Sequence, residues 1–338
     1  GALVPLYFLN QQGIKHHLVW VAIGLLSSDE LYSFGLAIQR AITKTQRRTV
    51  VLVSGDLSHR LTEDAPAGYD PRGQEFDRLV ESSLADGQFM ALLDVDEKLS
   101  EAAGECGLRP IQIGLGALDG YQVKSEVLSY EGPYGVGYLT ALLTPGTHDQ
   151  PSLLASMRQQ AADRVATLRG SESAEVQLAR TTLERYVRTG ATASVDELPT
   201  AWQRRAGVFV SIKKKGQLRG CIGTIEAVRA NLAEEIIHNA ISAGTEDPRF
   251  APVQEDELNQ LVYSVDVLGE SEPIASPDVL DPHRYGVIVR SGRKSGLLLP
   301  NLDGIDTAEE QLEIVKQKAG LRPGEPIKLW RFEVVRYH

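Results

Sequence analysis

His59 and the neighbours Glu105 and Cys106 are the residues of the first half whose types suit chemistry. In VVLVSGDLSHRL (Val50–Leu61) four apolar residues run into Ser54-Gly55-Asp56, and His59 follows just past the end. A histidine beyond the C-terminal end of a buried strand stands where open α/β sheets place their ligand sites. Its imidazole serves there as a metal ligand or as a proton acceptor near neutral pH. Asp56 either orients that imidazole or stays solvated, and the histidine itself can equally be a polar residue at the start of a loop. In Gly104-Glu105-Cys106-Gly107 a carboxylate and a thiol lie side by side between glycines, which permit tight backbone turns. A carboxylate with histidines suits non-haem iron(II), whereas a thiolate with histidines suits zinc or copper. The other reading of this segment is a helix C-cap at Gly104 followed by a small buried cysteine.

The second half offers Leu218-Arg-Gly-Cys-Ile-Gly-Thr224. On a strand, Arg219 and Cys221 share one face, two residues apart. A cysteine beside arginine is a candidate nucleophile, with His238 or Glu226 as candidate base. The alternative is a glycine-rich strand packed against another backbone, its cysteine inert. Asp247-Pro248-Arg249-Phe250 and Ser291–Gly296 add polar and basic loops that would line a cleft with Arg219, or serve only as turns.

Two domains are expected to position these residues, because 338 residues exceed the roughly 250 to 300 at which one core stops growing. The sequence divides into residues 1–145, a 146–152 linker and residues 153–338. A net charge of -10 argues against broad nucleic-acid binding, Lys213-Lys214-Lys215 being the one dense basic spot. No apolar run approaches the about 20 residues that span a bilayer. Two distant cysteines signal neither a disulfide framework nor a structural zinc site, which suits a reducing cytoplasm. The opening GALVPLYFLNQ reads like the middle of a fold, so an upstream portion is expected to be missing.

Leu18–Leu25 and Thr49–Val53 have the apolar, β-branched composition of buried parallel strands. Ser27 to Glu30 cap a helix over about 31–45, completing a βαβ unit. Helices are expected over 74–84 and 87–103, a helix or buried strand over 111–118 and a strand over 123–130, with 135–143 closing the first domain. The second half predicts helices over 153–168 and 174–189, then a hairpin of strands 207–212 and 217–225. A helix over 228–242, a strand over 261–268, a hairpin over 286–299, a helix over 308–319 and one strand over 328–336 complete an α+β pattern.

The order of an apolar VPLYFL segment, SGDLSH and GECGLRP resembles the class III extradiol dioxygenase fold of LigB type and its Memo-like relatives, over about residues 1–143. That resemblance implies an α/β domain holding one metal, typically iron(II), through two histidines and a carboxylate, or a cysteine in Memo-like members. A further histidine acts as acid and base. It implies that His59 is that acid/base residue, that Glu105 or Cys106 is the last protein ligand, and that the ligand histidines lie upstream of Gly1. It gives no role to His16 and His17.

GVFVSIKKKGQLRGCIGTIE, NAISAGTEDPRFAPV, YGVIVRSGRKSGLLLPNLDG and RFEVVRYH resemble an AMMECR-type domain, which implies an α+β fold over about residues 153–338 and a functional site at LRGCIGT. Arg219, Cys221 and Arg249 then become the candidates for binding substrate or partner. The fusion resembles the A proteins of AmmeMemoRadiSam systems. It implies a metal-dependent oxidoreductase acting on a small molecule beside a radical SAM protein or, alternatively, a non-catalytic scaffold or adaptor.

Overall fold

A computed structural model describes residues 3–13, 17–193, 199–302 and 304–338. They form two compact units, residues 1–160 and 161–338. Among the described residues no helix is long and apolar enough to cross a membrane.

The first unit is mainly helical: α1 (Leu3–Gln11), α2 (Ser28–Thr45), α3 (Pro71–Ala85), α4 (Phe89–Leu93), α5 (Glu97–Ala103) and α6 (Leu108–Gly116) precede an antiparallel hairpin of β1 (Tyr121–Glu131) and β2 (Tyr138–His148). Local chemistry sets the helix starts. Ser27 and Glu30 form a capping box on α2, and Asp70 caps α3 with Pro71 in its first turn, where a missing N–H costs nothing. The expected helix over 87–103 is broken into α4 and α5, the second capped afresh by Asp96. Residues 111–118, open between helix and strand, lie largely in α6. Along β1 partly buried and exposed residues alternate, and Val127 and Tyr130 pack with Phe76, Val80, Leu84 and Leu92 in the core.

The two expected parallel strands do not form. Leu18–Leu25 and Thr49–Val53 lie outside every ladder among the described residues, with Val19 84%, Leu25 89% and Val50 87% exposed. Parallel strands need neighbours on both edges and helices on both faces, and two alone would leave rows of unpaired backbone groups. Their composition fits a buried strand, but among the described residues no further strand lies beside them to complete a ladder.

A helix, α7 (Leu153–Gly170), runs across the division between the units, and β2 extends to His148, inside the segment expected as linker. The second unit adds α8 (Ala174–Thr189), β3 (Val208–Lys214), β4 (Gln217–Gly223), α9 (Leu232–Thr245), β5 (Leu261–Leu268), β6 (Glu272–Ile274), β7 (Gly286–Ser291), β8 (Lys294–Leu298), α10 (Ala308–Lys318), β9 (Lys328–Phe332) and β10 (Val334–Tyr337). Two four-stranded antiparallel sheets result, ordered β10-β5-β3-β4 and β6-β9-β7-β8. Val208, Val210, Ile212, Tyr263 and Val265 point from the first sheet into a core shared with Leu183 of α8 and Ile236 and Ala240 of α9. The second sheet packs Val287, Val289 and Leu329 against Leu312 and Val315 of α10.

The strand expected over 328–336 is two strands. β9 joins the second sheet and β10 the first, and between them Gly269 N–H donates to the Glu333 carbonyl. An uninterrupted apolar alternation carries no mark of the point at which a chain changes sheets.

Candidate metal centre and thiol site

The loop that carries His59 is fixed from both sides. Leu57 N–H donates to the Gly137 carbonyl at 2.9 Å, Gly137 N–H returns a bond to the Ser58 carbonyl at 2.8 Å, and Leu61 N–H donates to Gly135. Ser58, fully buried, donates its N–H to the Asp77 carboxylate at 2.8 Å and its hydroxyl to the Ala103 carbonyl. Asp77 is also fully buried and accepts from the Tyr130 hydroxyl at 2.8 Å. Burial is the main cause that pushes the carboxyl of Asp77 and the phenol of Tyr130 up from their ordinary values.

The second loop begins where α5 ends on Gly104, whose left-handed φ of 62° closes the helix, as the C-cap reading of that glycine requires. Cys106 N–H donates to the Asp56 carbonyl and Asp56 N–H to Cys106 Sγ, each at 3.1 Å. The two loops touch backbone to backbone. A Cβ on Gly55 would lie 2.6 Å from the Cys106 carbonyl oxygen, and one on Gly107 would lie 2.9 Å from that of Asp56. Glycines at 55 and 107 are therefore what lets a thiol reach the backbone of an aspartate fifty positions away.

The Asp56 carboxylate, an imidazole nitrogen of His59 and Cys106 Sγ converge within 4.8 Å of one another. His59 Nδ1 lies 2.5 Å from the Gly104 carbonyl oxygen. A carbonyl only accepts, so Nδ1 carries the hydrogen and the neutral ring keeps its lone pair at Nε2. Nε2 is 3.5 Å from Asp56 Oδ2. Three electron-pair donors facing one point repel one another unless a proton or a cation lies between them. The Asp56 oxygen and the Cys106 sulfur form a donor pair that fits a divalent transition metal, and His59, its far ring nitrogen tied to a carbonyl, holds the lone pair of Nε2 beside them. The centre is open to solutes, the Asp56 and His59 side chains being 44% and 24% exposed.

Glu105 is not among the three converging groups. Its carboxylate accepts from Ser100 Oγ and from Leu108 N–H, both at 2.7 Å, which caps the start of α6. Asp56 stands in the cluster instead. The signal for it was an aspartate three residues before the histidine, but nothing local says that Cys106 meets the pair. His17 is exposed, and His16 lies outside the described residues.

In the second unit Arg219, Cys221 and Arg249 gather around the turn that follows α9. Cys221 N–H donates to Asp247 Oδ2 at 2.9 Å, and Arg249 grips the same carboxylate at 2.9 and 2.7 Å while donating to the Cys221 carbonyl at 3.2 Å. The guanidinium of Arg249, more than the two backbone bonds, holds Asp247 far below the usual carboxylate range. Arg219 is occupied on every nitrogen, with two bonds of 3.0 and 2.8 Å to Glu257 and one to the Ala251 carbonyl. That fork, assisted by Lys214, draws the Glu257 carboxyl down to about 2. Both guanidiniums lie over the Phe250 ring, at 5.9 and 5.5 Å. Neither candidate base partners the thiol: Glu226 pairs with Arg290, and His238 lies on the exposed side of α9, whereas Cys221 takes its hydrogen bond from Ser211 Oγ at 3.2 Å. Gly220 answers to packing, because a Cβ there would meet the Ala243 carbonyl oxygen of α9 at 2.1 Å.

Comparison with known proteins agrees with this division of the chain. Residues 1–141 match the family described as the catalytic LigB subunit of aromatic ring-opening dioxygenases, and residues 176–337 match the AMMECR1 family. All of the chain is similar to Protein CA_C1420 of Clostridium acetobutylicum, at 44% identity and over 72% of that protein. A Thermotoga maritima protein is 50% identical over 46% of this chain and 91% of its own length. The crystal structure of PH0010 from Pyrococcus horikoshii is similar over 48% of this chain and 88% of that one, at 35% identity and a TM-score of 0.45. The chain thus belongs to the family of two-domain proteins in which a LigB-type domain is followed by an AMMECR1 domain.

Proposed function

We propose that the first domain is a metal-dependent, extradiol-dioxygenase-like oxidoreductase centre for a small-molecule substrate, built on Asp56, His59 and Cys106. The observation that carries this reading is the convergence of a carboxylate, an imidazole nitrogen and a thiol within 4.8 Å in a LigB-type domain. Asp56 and Cys106 supply the anionic oxygen and sulfur that would hold the ion. Iron(II), the ion that the LigB resemblance implies, would contribute Lewis-acid and redox chemistry. His59 moves the proton: the Gly104 carbonyl fixes Nδ1–H, which leaves Nε2 to take a proton from a substrate hydroxyl and return it. The Ser58–Asp77 bond keeps the ring aimed. A radical SAM protein is the companion in this reading, supported by the order of the two domains.

Metal analysis of the full chain after anaerobic iron(II) loading tests the proposal. The wild-type chain is expected to retain iron, Asp56→Asn and Cys106→Ser to lose at least about tenfold in affinity, and His59→Gln to hold iron yet lose activity. A Cys106→Ser chain that binds iron as tightly as wild type overturns it. The scaffold reading expects the same iron but no oxygen uptake, so oxygen-electrode traces with catechol as probe separate the two.

A further inference from the structure

Arg60 follows His59 and is not among the converging groups of the first domain, yet its side chain is held beside them. Its N–H donates to Ser58 Oγ at 3.0 Å and its carbonyl accepts from Asp70 N–H at 3.1 Å, which fixes the backbone on both sides. The stem then lies against Gly104. A Cβ on that glycine would stand 3.3 Å from Arg60 Nε and 3.8 Å from its Cδ, with the Ala67 Cβ at 3.9 Å. The same Gly104 presents its carbonyl oxygen to His59 Nδ1 at 2.5 Å. One glycine thus seats the imidazole and the guanidinium stem together, two residues before the Cys106 thiol. Arg72, Arg219 and Arg249 each rest on a carboxylate of the chain, whereas Arg60 does not. Its Nε is buried without a hydrogen bond, and no hydrogen bond or ion pair engages the guanidinium among the described residues. Asp70, a carboxylate within its electrostatic range, has both oxygens on Arg72, at 3.0 and 2.7 Å. Arg60 is also only partly exposed, so water satisfies little of its stem. A partly desolvated, unpaired guanidinium is stabilised by an anion that a ligand brings, and its planar fork matches the oxygens of a carboxylate or a phosphate.

We propose that Arg60 is a specificity-determining residue of the first domain: it receives the anionic group, a carboxylate or a phosphate, of a small-molecule substrate whose reacting part lies over His59 and Cys106. The inference rests on reading that centre as a small-molecule site, and adds the charge that the substrate carries. Both side chains spring from one bonded stretch of backbone, His59 N–H on the Ala103 carbonyl and Arg60 N–H on Ser58 Oγ. The distance from the anionic group to His59 Nε2 is therefore set by the fold, and a ligand is selected by its length as well as by its charge.

Protection of Cys106 from iodoacetamide in the metal-free full chain, read by mass spectrometry with Cys221 as internal control, tests this. The reagent is neutral; the sulfur forms a bond to carbon, iodide leaves and the thiol proton passes to solvent. Benzoate, phenyl phosphate and neutral benzamide are compared as protectors at one ionic strength. Benzoate or phenyl phosphate is expected to slow Cys106 at least about fivefold more than benzamide does, the stronger protector naming the preferred group. That difference should vanish in Arg60→Met, which keeps an apolar stem on Gly104, and persist in part in Arg60→Lys, which keeps the charge without the fork. The thermal midpoint of each variant checks that the first domain remains folded. Equal protection by benzamide, a difference that survives in Arg60→Met, or no protection by either anion overturns the inference. No arm uses a bound ion, so a chain that takes up no metal would overturn the metal centre and leave this result to stand or fall by itself.

Discussion

The Gly104 carbonyl accepts from His59 Nδ1 at 2.5 Å, and this contact decides which ring nitrogen is left for chemistry. Nitrogen-15 NMR of the imidazole should show Nδ1 protonated and Nε2 bare in the neutral ring. The opposite tautomer would mean that Nε2 cannot accept a proton.

Glu105 is predicted to act on stability and not on the ion. Glu105→Ala removes the acceptor of Leu108 N–H and Ser100 Oγ, which should cost about 1 kcal/mol. Thermal unfolding should register that loss, while metal content stays near that of wild type and contrasts with Cys106→Ser.

Gly220→Ala should destabilise the second domain by about 2–3 kcal/mol, because the new methyl group meets a helix carbonyl that cannot rotate away. Urea unfolding measures this directly. An unchanged midpoint would show that α9 stands farther from β4 than the structure places it.

Glu257 gives the second domain an acid limit. Its carboxyl is held at about 2, against an ordinary 4.5, chiefly by hydrogen bonds from Arg219. The unfolded chain takes up the proton as pH falls through about 4.5 while the folded chain resists until about 2. The stabilisation, on the order of 3 kcal/mol, is therefore complete above the first value and lost between the two. The stability gap between the wild-type chain and Glu257→Gln should narrow as pH falls through that window, and a constant gap would contradict the assignment.

Much of the site was legible where the controlling contacts are local. The Gly104 cap and the pairing of β3 with β4 follow from turn and cap residues that act within a few positions. What was hidden depends on distant contacts. Cys106, and not Glu105, is brought to Asp56 and His59 by a contact fifty positions apart, and Arg219 is claimed by Glu257, thirty-eight positions on. Leu18–Leu25 and Thr49–Val53 show the opposite limit: composition can mark a strand, but only a partner strand makes one.

The most direct test of the central claim, that Cys106 and its neighbours form a metal centre, is an anaerobic cobalt(II) titration of the full chain followed by near-ultraviolet absorption. A sulfur-to-cobalt charge-transfer band should grow to a single equivalent, vanish in Cys106→Ser and persist in Cys221→Ser. A band that survives in Cys106→Ser, or its absence from the wild-type chain, would contradict the account.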